Sequence, residues 1–526
     1  MVSSRTLALA LALVAPGLLA SAPGVGATPA DILVVASQID DLSTLDPAEI
    51  FEYSGAEYAA NAYDRLIGYD GADWTRPVPR LARSWTVDAT GRAWRFELRN
   101  DAAFHAGRRV EAEDVVYSLR RALALAKAPV GLLRQIGLRQ DGIRALDDLM
   151  VEIETDRAYA PGIVLGVLAS SVASIVDRRE VEARAANGDW GHGWLRRAEA
   201  GSGPFRLLAW RANERLSLER HDGHWDGAPA MRRVVLRHMP EPASQRLLIE
   251  QGDVDIARNL GPDQAKGALR NPDLRAQPTR KASIWFLALN TRHPDLGQAE
   301  IRAALREAVD YQGIARGILA GRAVVHQSVL PGGLFGALSD VPFGYAPERL
   351  AQALAGRSLR IAMDVRAQAP VLDVAQALQA NFAKAGLVVE LRPADAKQVL
   401  TRFRERRYDM VLARWASDTL DPQSDAEAFS RNRDNSDGAT LRNLAWRAAW
   451  VSPEIETLVD RAALERDEAR RADLLVEVQR RHREEGPFVV LFQEIEPYVL
   501  RRDIRGFAPG PTPDTVLYAR VRKERR

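Results

Sequence analysis

Short strand-like runs alternate with stretches of helical period along the whole chain, and this alternation restricts it to a mixed α/β architecture. Residues 32–36 form a β-rich run, and Trp94, Phe96 and Leu98 alternate with polar residues as a half-buried strand does. Residues 111–125 then read as a helix, with Val115, Val116, Leu119 and Leu123 on one face. Glu113 and Asp114 fall in its first turn, where the positive end of the helix dipole favours acids. Strand patterns return at 205–210, 215–219 and 234–238, before an amphipathic stretch at 243–250. Beyond Asn290 the balance shifts to helices at 299–320, 371–385 and 469–481, interleaved with strands at 359–363, 388–391 and 409–413. Strand–helix alternation predicts parallel sheets, whose ligand crevices lie beyond the carboxyl ends of the strands. With no repeat and no low-complexity linker, the domains are expected to be interwoven.

The N-terminus sets the expected compartment. Arg5 precedes an apolar run from Leu7 to Ala20, and Val25-Gly26-Ala27 supplies a small-x-small cleavage site, so residues 1–27 read as a secretory signal and the mature chain begins at Thr28. Pro16 and Gly17 interrupt the run, which is shorter than the roughly 20 apolar residues a membrane span needs. The 526 residues contain no cysteine, which removes lipid attachment, disulfides, thiolate metal sites and cysteine catalysis together. Stability must come from burial, for which 46% hydrophobic residues suffice. The formal charge of +2, one unit of it from Arg5, provides no field to select nucleic acid or anionic membrane. The basic end from Arg520 to Arg526 reads as a solvated tail.

The motifs of common enzyme classes are missing: no Gly-x-Ser-x-Gly elbow, no His-Glu-x-x-His, no Gly-Lys-Ser/Thr phosphate loop and no Gly-x-Gly-x-x-Gly opening a helix. Gly201-Ser202-Gly203-Pro204 precedes a strand and reads as a turn. His221 and His224 sit in another turn, without a third metal ligand at set spacing. Hydrolase and nucleotide readings lose most of their weight, and no catalytic residue, cofactor or metal is expected.

A series of short motifs then falls in a recognisable order. Leu45-Asp46-Pro47 and Tyr63-Asp64-Arg65-Leu66 come first, followed by Leu81-Ala82-Arg83-Ser84-Trp85, Phe104-His105-Ala106-Gly107 and Ala112-Glu113-Asp114-Val115. Gly201 to Phe205, Trp225-Asp226-Gly227, Gly252-Asp253-Val254-Asp255-Ile256, Ile301-Arg302, Leu330-Pro331 and Asp421-Pro422 continue the series. The set resembles the extracellular solute-binding family 5 of dipeptide, oligopeptide and nickel ABC importers, across nearly the whole mature chain. The turn at His221 to Trp225 lacks the family's usual Asn, and Asn290 to Asp295 lacks its usual Pro-Phe ending.

The resemblance implies a two-lobed periplasmic-binding-protein fold of type II, with a subdomain inserted in the first lobe. Lobe I is expected at 28–72, 201–290 and 491–526, the insert at 73–200 and lobe II at 291–490. It implies a periplasmic, monomeric protein, not a lipoprotein, that captures a peptide or similar zwitterion and delivers it to ABC permease subunits. A nickel or other metal-chelate ligand is the runner-up within the family, and a periplasmic chaperone on the same fold is the alternative outside it.

A zwitterion buried between lobes needs a carboxylate at one end and a cation at the other. Asp418 follows the strand at 409–413, and in peptide-binding relatives an Asp at this place pairs with the ligand amine; a turn or capping Asp is the competing role, although Asp421 before Pro422 also suits the turn. Arg366 stands just past the strand at 359–363, where dipeptide-binding relatives carry a carboxylate-pairing Arg within one residue. Trp285, Tyr53 and Trp415 either line the pocket with aromatic faces or belong to the core.

Overall fold

The computed structural model describes residues 28–71 and 73–524; the expected signal sequence, residues 1–27, lies outside the described residues. Among the described residues no helix is long and apolar enough to cross a membrane.

Two long antiparallel strands, Leu274–Leu289 and Phe488–Arg501, run side by side through the middle of the molecule and each serves two cores. Toward one end they join Ile256–Ala257, Ile32–Ser37, Arg233–His238, Arg215–Arg220 and Phe205–Arg211 in one half of a continuous sheet. Toward the other they join Met410–Ala416, Leu359–Arg366 and Leu387–Ala394. Only Ile32–Ser37 with its two neighbours, and Leu359–Arg366 with its two, pair in parallel; the other pairs of this sheet are antiparallel. The expected parallel sheets are therefore confined to the strands linked by helical crossovers. Hairpins such as Phe205–Arg211 with Arg215–Arg220, turning at Asn213 with φ 56°, reverse the chain within the sheet.

The pairing of the two long strands breaks where the halves meet. Arg280 pairs with Ile495 and Ile284 with Gln493, so Lys281, Ala282 and Ser283 oppose Glu494 alone. The freed backbone groups find partners from outside the ladder. Ala282 donates its N–H to the Pro511 carbonyl (3.0 Å) and accepts from the Ser417 N–H (2.8 Å), while the buried Gln493 amide donates to the Lys281 carbonyl at 2.9 Å.

Apolar burial divides accordingly. Leu33, Val35, Phe205, Leu236 and Tyr498 share one core, and Trp285, Leu287, Met363, Phe382 and Leu491 another. Phe286, Val411, Phe429 and Val490 fill the opposite face of the second half-sheet. A separate core around Trp94, Phe96, Val115 and Leu168 is built on a four-stranded antiparallel sheet, Ala82–Val87, Ala93–Leu98, Met150–Glu154 and Ile143–Ala145. Its helix Ala112–Leu125 starts with a capping box between Glu111 and Asp114.

Several element boundaries differ from the sequence pattern, among them the strand expected at 388–391, which is Leu387–Ala394, and the helix expected at 469–481, which is Glu468–Glu485. The helix expected at 299–320 is two helices, Ala299–Glu307 and Tyr311–Arg316, because Asp310 caps a new start by accepting from the Gly313 N–H at 2.8 Å. The strand expected at 359–363 extends to Arg366, which is its last residue rather than a residue past it. The strand expected at 409–413 is Met410–Ala416, so Asp418 lies two residues beyond its end.

Candidate functional site

Met410–Ala416 lies between Leu359–Arg366 and Leu274–Leu289, and its carboxyl end opens beside the break in the long strands. The loop that follows is held from two sides. Ser417 is tied to the Ala282 carbonyl, and Leu420 packs into the core of the inserted sheet. Asp421 abuts the helix Pro161–Leu168 at Gly162, where a Cβ would collide with its carboxylate. Asp421 pairs with the buried Arg471 at 2.6 and 2.8 Å and accepts the Gln423 N–H, so the turn before Pro422 is its work.

Asp418 is therefore not needed as the turn residue. Its partly buried carboxylate has no hydrogen bond or ion pair among the described residues, and burial pushes it up to about 6. Behind it lies Asp425, on the helix Gln423–Ser430 and fully buried. Asp425 accepts the Trp415 indole N–H at 2.7 Å and the Ser417 hydroxyl at 2.8 Å. Burial drives it up to about 8 in spite of these donors, with the neighbouring charge of Asp418 adding to the rise. Two carboxylates without a cation thus occupy one strand end, a place suited to a positively charged group arriving from outside.

Arg366 closes the neighbouring strand. Burial, followed by the charge of Arg414, lowers its guanidinium below the ordinary value, and no partner is recorded for it among the described residues. Arg414, on Met410–Ala416, reaches Glu494 at 3.2 Å and lies 5.5 Å from the centre of the Trp285 ring. The same half-sheet therefore carries cations and uncompensated carboxylates at successive strand ends.

The aromatic candidates divide. Trp285 is 4% exposed and sits in the core beneath Arg414. Trp415 packs edge-on against Phe429 at 6.3 Å and spends its N–H on Asp425. Tyr53 opens the helix Tyr53–Ala62 in the first half, 39% exposed, with Lys281 and Arg258 about 6 Å from its ring, at 5.9 and 6.0 Å. Under Tyr53 runs a closed ionic cluster in which Arg258 bridges Glu57 and Glu496, and Lys281 contacts Glu496 at 3.4 Å and the Gly510 carbonyl at 2.8 Å. The two histidines of the 221–224 turn are engaged locally: His221 Nδ1 meets the Gly203 carbonyl at 3.2 Å, and His224 Nδ1 accepts the Asp226 N–H at 3.3 Å.

Comparison with known proteins supplies the family. The model of the bacterial extracellular solute-binding proteins, family 5 (middle section), matches residues 76–437. The chain belongs to this family. Among similar family 5 proteins, the probable D,D-dipeptide-binding periplasmic protein DdpA of Escherichia coli K12 is 27% identical over 93% of this chain and 94% of its own length. The peptide transport periplasmic protein SapA of Salmonella typhimurium LT2 is 28% identical over 86% of this chain and 85% of its own. The solved structure of the periplasmic binding protein DppA of Helicobacter pylori, in complex with the peptide STSA, superposes with a TM-score of 0.78 at 21% identity, covering 94% of this chain and 98% of that one. The fold of the family 5 protein is thus the two-lobed periplasmic-binding-protein type.

Of the sequence candidates, the structure brings Asp418, Arg366 and Trp415 to one end of the same half-sheet, whereas Asp425, Arg414 and the Arg258 cluster were not singled out by sequence reasoning. Asp425 carried one usable signal, an acid in the first turn of a helix that starts after Pro422. For the cluster, pairing between residues about two hundred positions apart leaves no local pattern.

Proposed function

We propose that the chain is the periplasmic substrate-binding protein of an ABC importer, capturing a peptide or similar zwitterionic ligand between its lobes and presenting it to the membrane permease. The observation that carries this reading is the uncompensated Asp418 carboxylate at a strand end beside the junction of the lobes. It takes the ligand's amine, Asp425 stands behind it and fixes Trp415 and Ser417, and Arg366, with Arg414 beside it, takes the carboxylate. The peptide-related names of DdpA and SapA and the peptide held by the Helicobacter relative support this ligand class.

The lobes follow the division 28–72, 201–290 and 491–526 against 291–490, with 73–200 inserted, and closure bends the long strands at Lys281–Ser283, where three residues oppose one. The protein acts as an exported monomer with a cleaved signal, free of lipid because it has no cysteine to carry one, and it binds without catalysis.

Mass spectrometry of the ligand released by mild denaturation, followed by small-angle scattering with and without it, tests the reading. A free-amine, carboxylate-bearing compound that shrinks the radius of gyration is expected. A bound metal chelate, or an unchanged radius with binding verified, contradicts it.

A further inference from the structure

In the second lobe the helix Ala299–Glu307 lays two arginines against the carboxyl end of the long helix Glu468–Glu485. Arg302 is fully used, donating to the carbonyls of Leu296, Gly297 and Glu485 at 2.6 to 3.2 Å. Arg306, 2% exposed, gives one nitrogen, Nη2, to the carbonyls of His482 and Gly486, where the negative end of the helix dipole welcomes it. Its Nη1 is buried without a partner.

Nη1 belongs to a guanidinium that lines a narrow recess, with only about 10 Å³ of free space, together with Gln327, Ser328, Gln479, His482 and Arg483. The other polar side chains of that wall are taken. Both ends of the Gln327 amide bond Phe343, and Gln479 binds Ser328, Leu338, Gly336 and Leu475. Arg483 is held by Asp340 and the Gln327 carbonyl. His482, 3% exposed, is the exception: its Nε2 meets Ser430 Oγ at 2.8 Å, but its Nδ1 has no partner. If the Ser430 hydroxyl donates to Nε2, the imidazole proton sits on Nδ1 and a second donor joins Arg306.

Unmatched buried donors are costly, and a buried guanidinium with no carboxylate on it more so. Asp340 is committed to Arg483, and Glu485 accepts from Ser452 at 3.1 Å. Burial accordingly lowers Arg306 to about 10 and, with the charge of Arg306, lowers His482 to about 3, so the imidazole is neutral and the guanidinium supplies the charge.

We infer that this recess is a binding site for one small inorganic or one-carbon anion, of the halide or formate class, received by Arg306 Nη1 and His482 Nδ1–H. It lies within the second lobe, apart from Asp418, and bound anion would brace the contact between the two helices. A water molecule, accepting from Arg306 and donating to an unprotonated Nδ1, is the competing occupant.

The test uses the full exported chain. In crystals soaked in bromide, an anomalous peak within hydrogen-bond reach of Arg306 Nη1 and His482 Nδ1 is expected. The thermal midpoint should rise saturably with chloride, bromide or formate at constant ionic strength set with gluconate, and Arg306→Met should lose that rise. A rise with formate but not with the halides would mark the site as one for small carboxylates, and the reverse as one for halides. If Arg306→Met does not fold, the wild-type bromide map decides alone. No peak, with a midpoint indifferent to all three anions, means that water is the occupant and overturns the inference.

Discussion

In the first half of the molecule Glu57 and Glu496 share Arg258 and Lys281, two charges of each sign, with the Tyr498 and Tyr518 hydroxyls donating to the carboxylates. Against burial, Arg258 and Lys281 hold Glu496 down to about 2. Across the bend, Asp418 and Asp425 face no cation among the described residues, and burial drives both up, to about 6 and about 8. Similar groups at similar depth are thus pushed in opposite directions by the presence or absence of a partner. The balanced cluster is complete within the chain and serves its structure. The unbalanced pair has no such partner among the described residues, and under the proposed function the ligand supplies it.

The largest effect expected from breaking this contrast is on stability. Arg258→Met leaves the buried Glu57 without its cation and Glu496 with Lys281 alone, a change that costs roughly 3–5 kcal/mol. Chemical denaturation should show a lowered midpoint of about that free energy, and unchanged stability would mean that the cluster is not a structural unit.

Next comes the cation end of the site. Arg366→Met removes a partly buried partner of the ligand carboxylate and should weaken peptide binding by roughly 2 kcal/mol, about 30-fold. Apo stability should stay near wild type, because no partner within the chain is lost. Titration calorimetry checks both halves; equal affinity would reassign Arg366 to the surface.

Smaller still is the dependence on pH. The Asp418 carboxyl is raised above its ordinary value, so the apo fold favours the protonated form. That contribution to stability is present at low pH and is lost as pH rises from about 4 to about 6. Asp425 extends the loss toward about 8. A cationic amine instead requires ionised Asp418, so affinity for a free-amine peptide should rise about tenfold between pH 5 and pH 7. A flat affinity profile would mean that Asp418 does not meet the amine.

Much of this frame was legible in the chain. Alternating runs placed the flanking strands to within a few residues but not the two long central ones, Leu274–Leu289 and Phe488–Arg501, and the ordered motifs from Leu45 to Pro422 carried the fold. Asp418 and Arg366 were singled out because hydrophobic patterning ends strands shortly before them and the family resemblance places binding residues there, although the strand in fact runs through Arg366. The balance of charge was not legible. Asp421 is paired with Arg471, fifty residues away, while Asp418 has no such partner among the described residues, and local sequence does not distinguish the two. The bend was hidden for a related reason: it is a mismatch between Leu274–Leu289 and Phe488–Arg501, two segments about two hundred residues apart, and appears only when they pair. The split helix at 299–320 was hidden because Asp310 is helix-compatible until its side chain captures the Gly313 N–H.

The most direct test of the central claim is calorimetry on wild type and Asp418→Asn with one free-amine peptide and its N-acetylated form. Asn has nearly the same shape but no charge, and losing one member of a buried charge pair costs roughly 2–5 kcal/mol, about 30-fold to several-thousand-fold in Kd. The account predicts at least about tenfold weaker binding of the free-amine peptide by Asp418→Asn, an unchanged apo melting temperature, and no difference between the two proteins toward the acetylated peptide. Equal affinity for the free amine, together with an apo stability lowered by about 1 kcal/mol as for a lost cap, would contradict it and make Asp418 a turn residue.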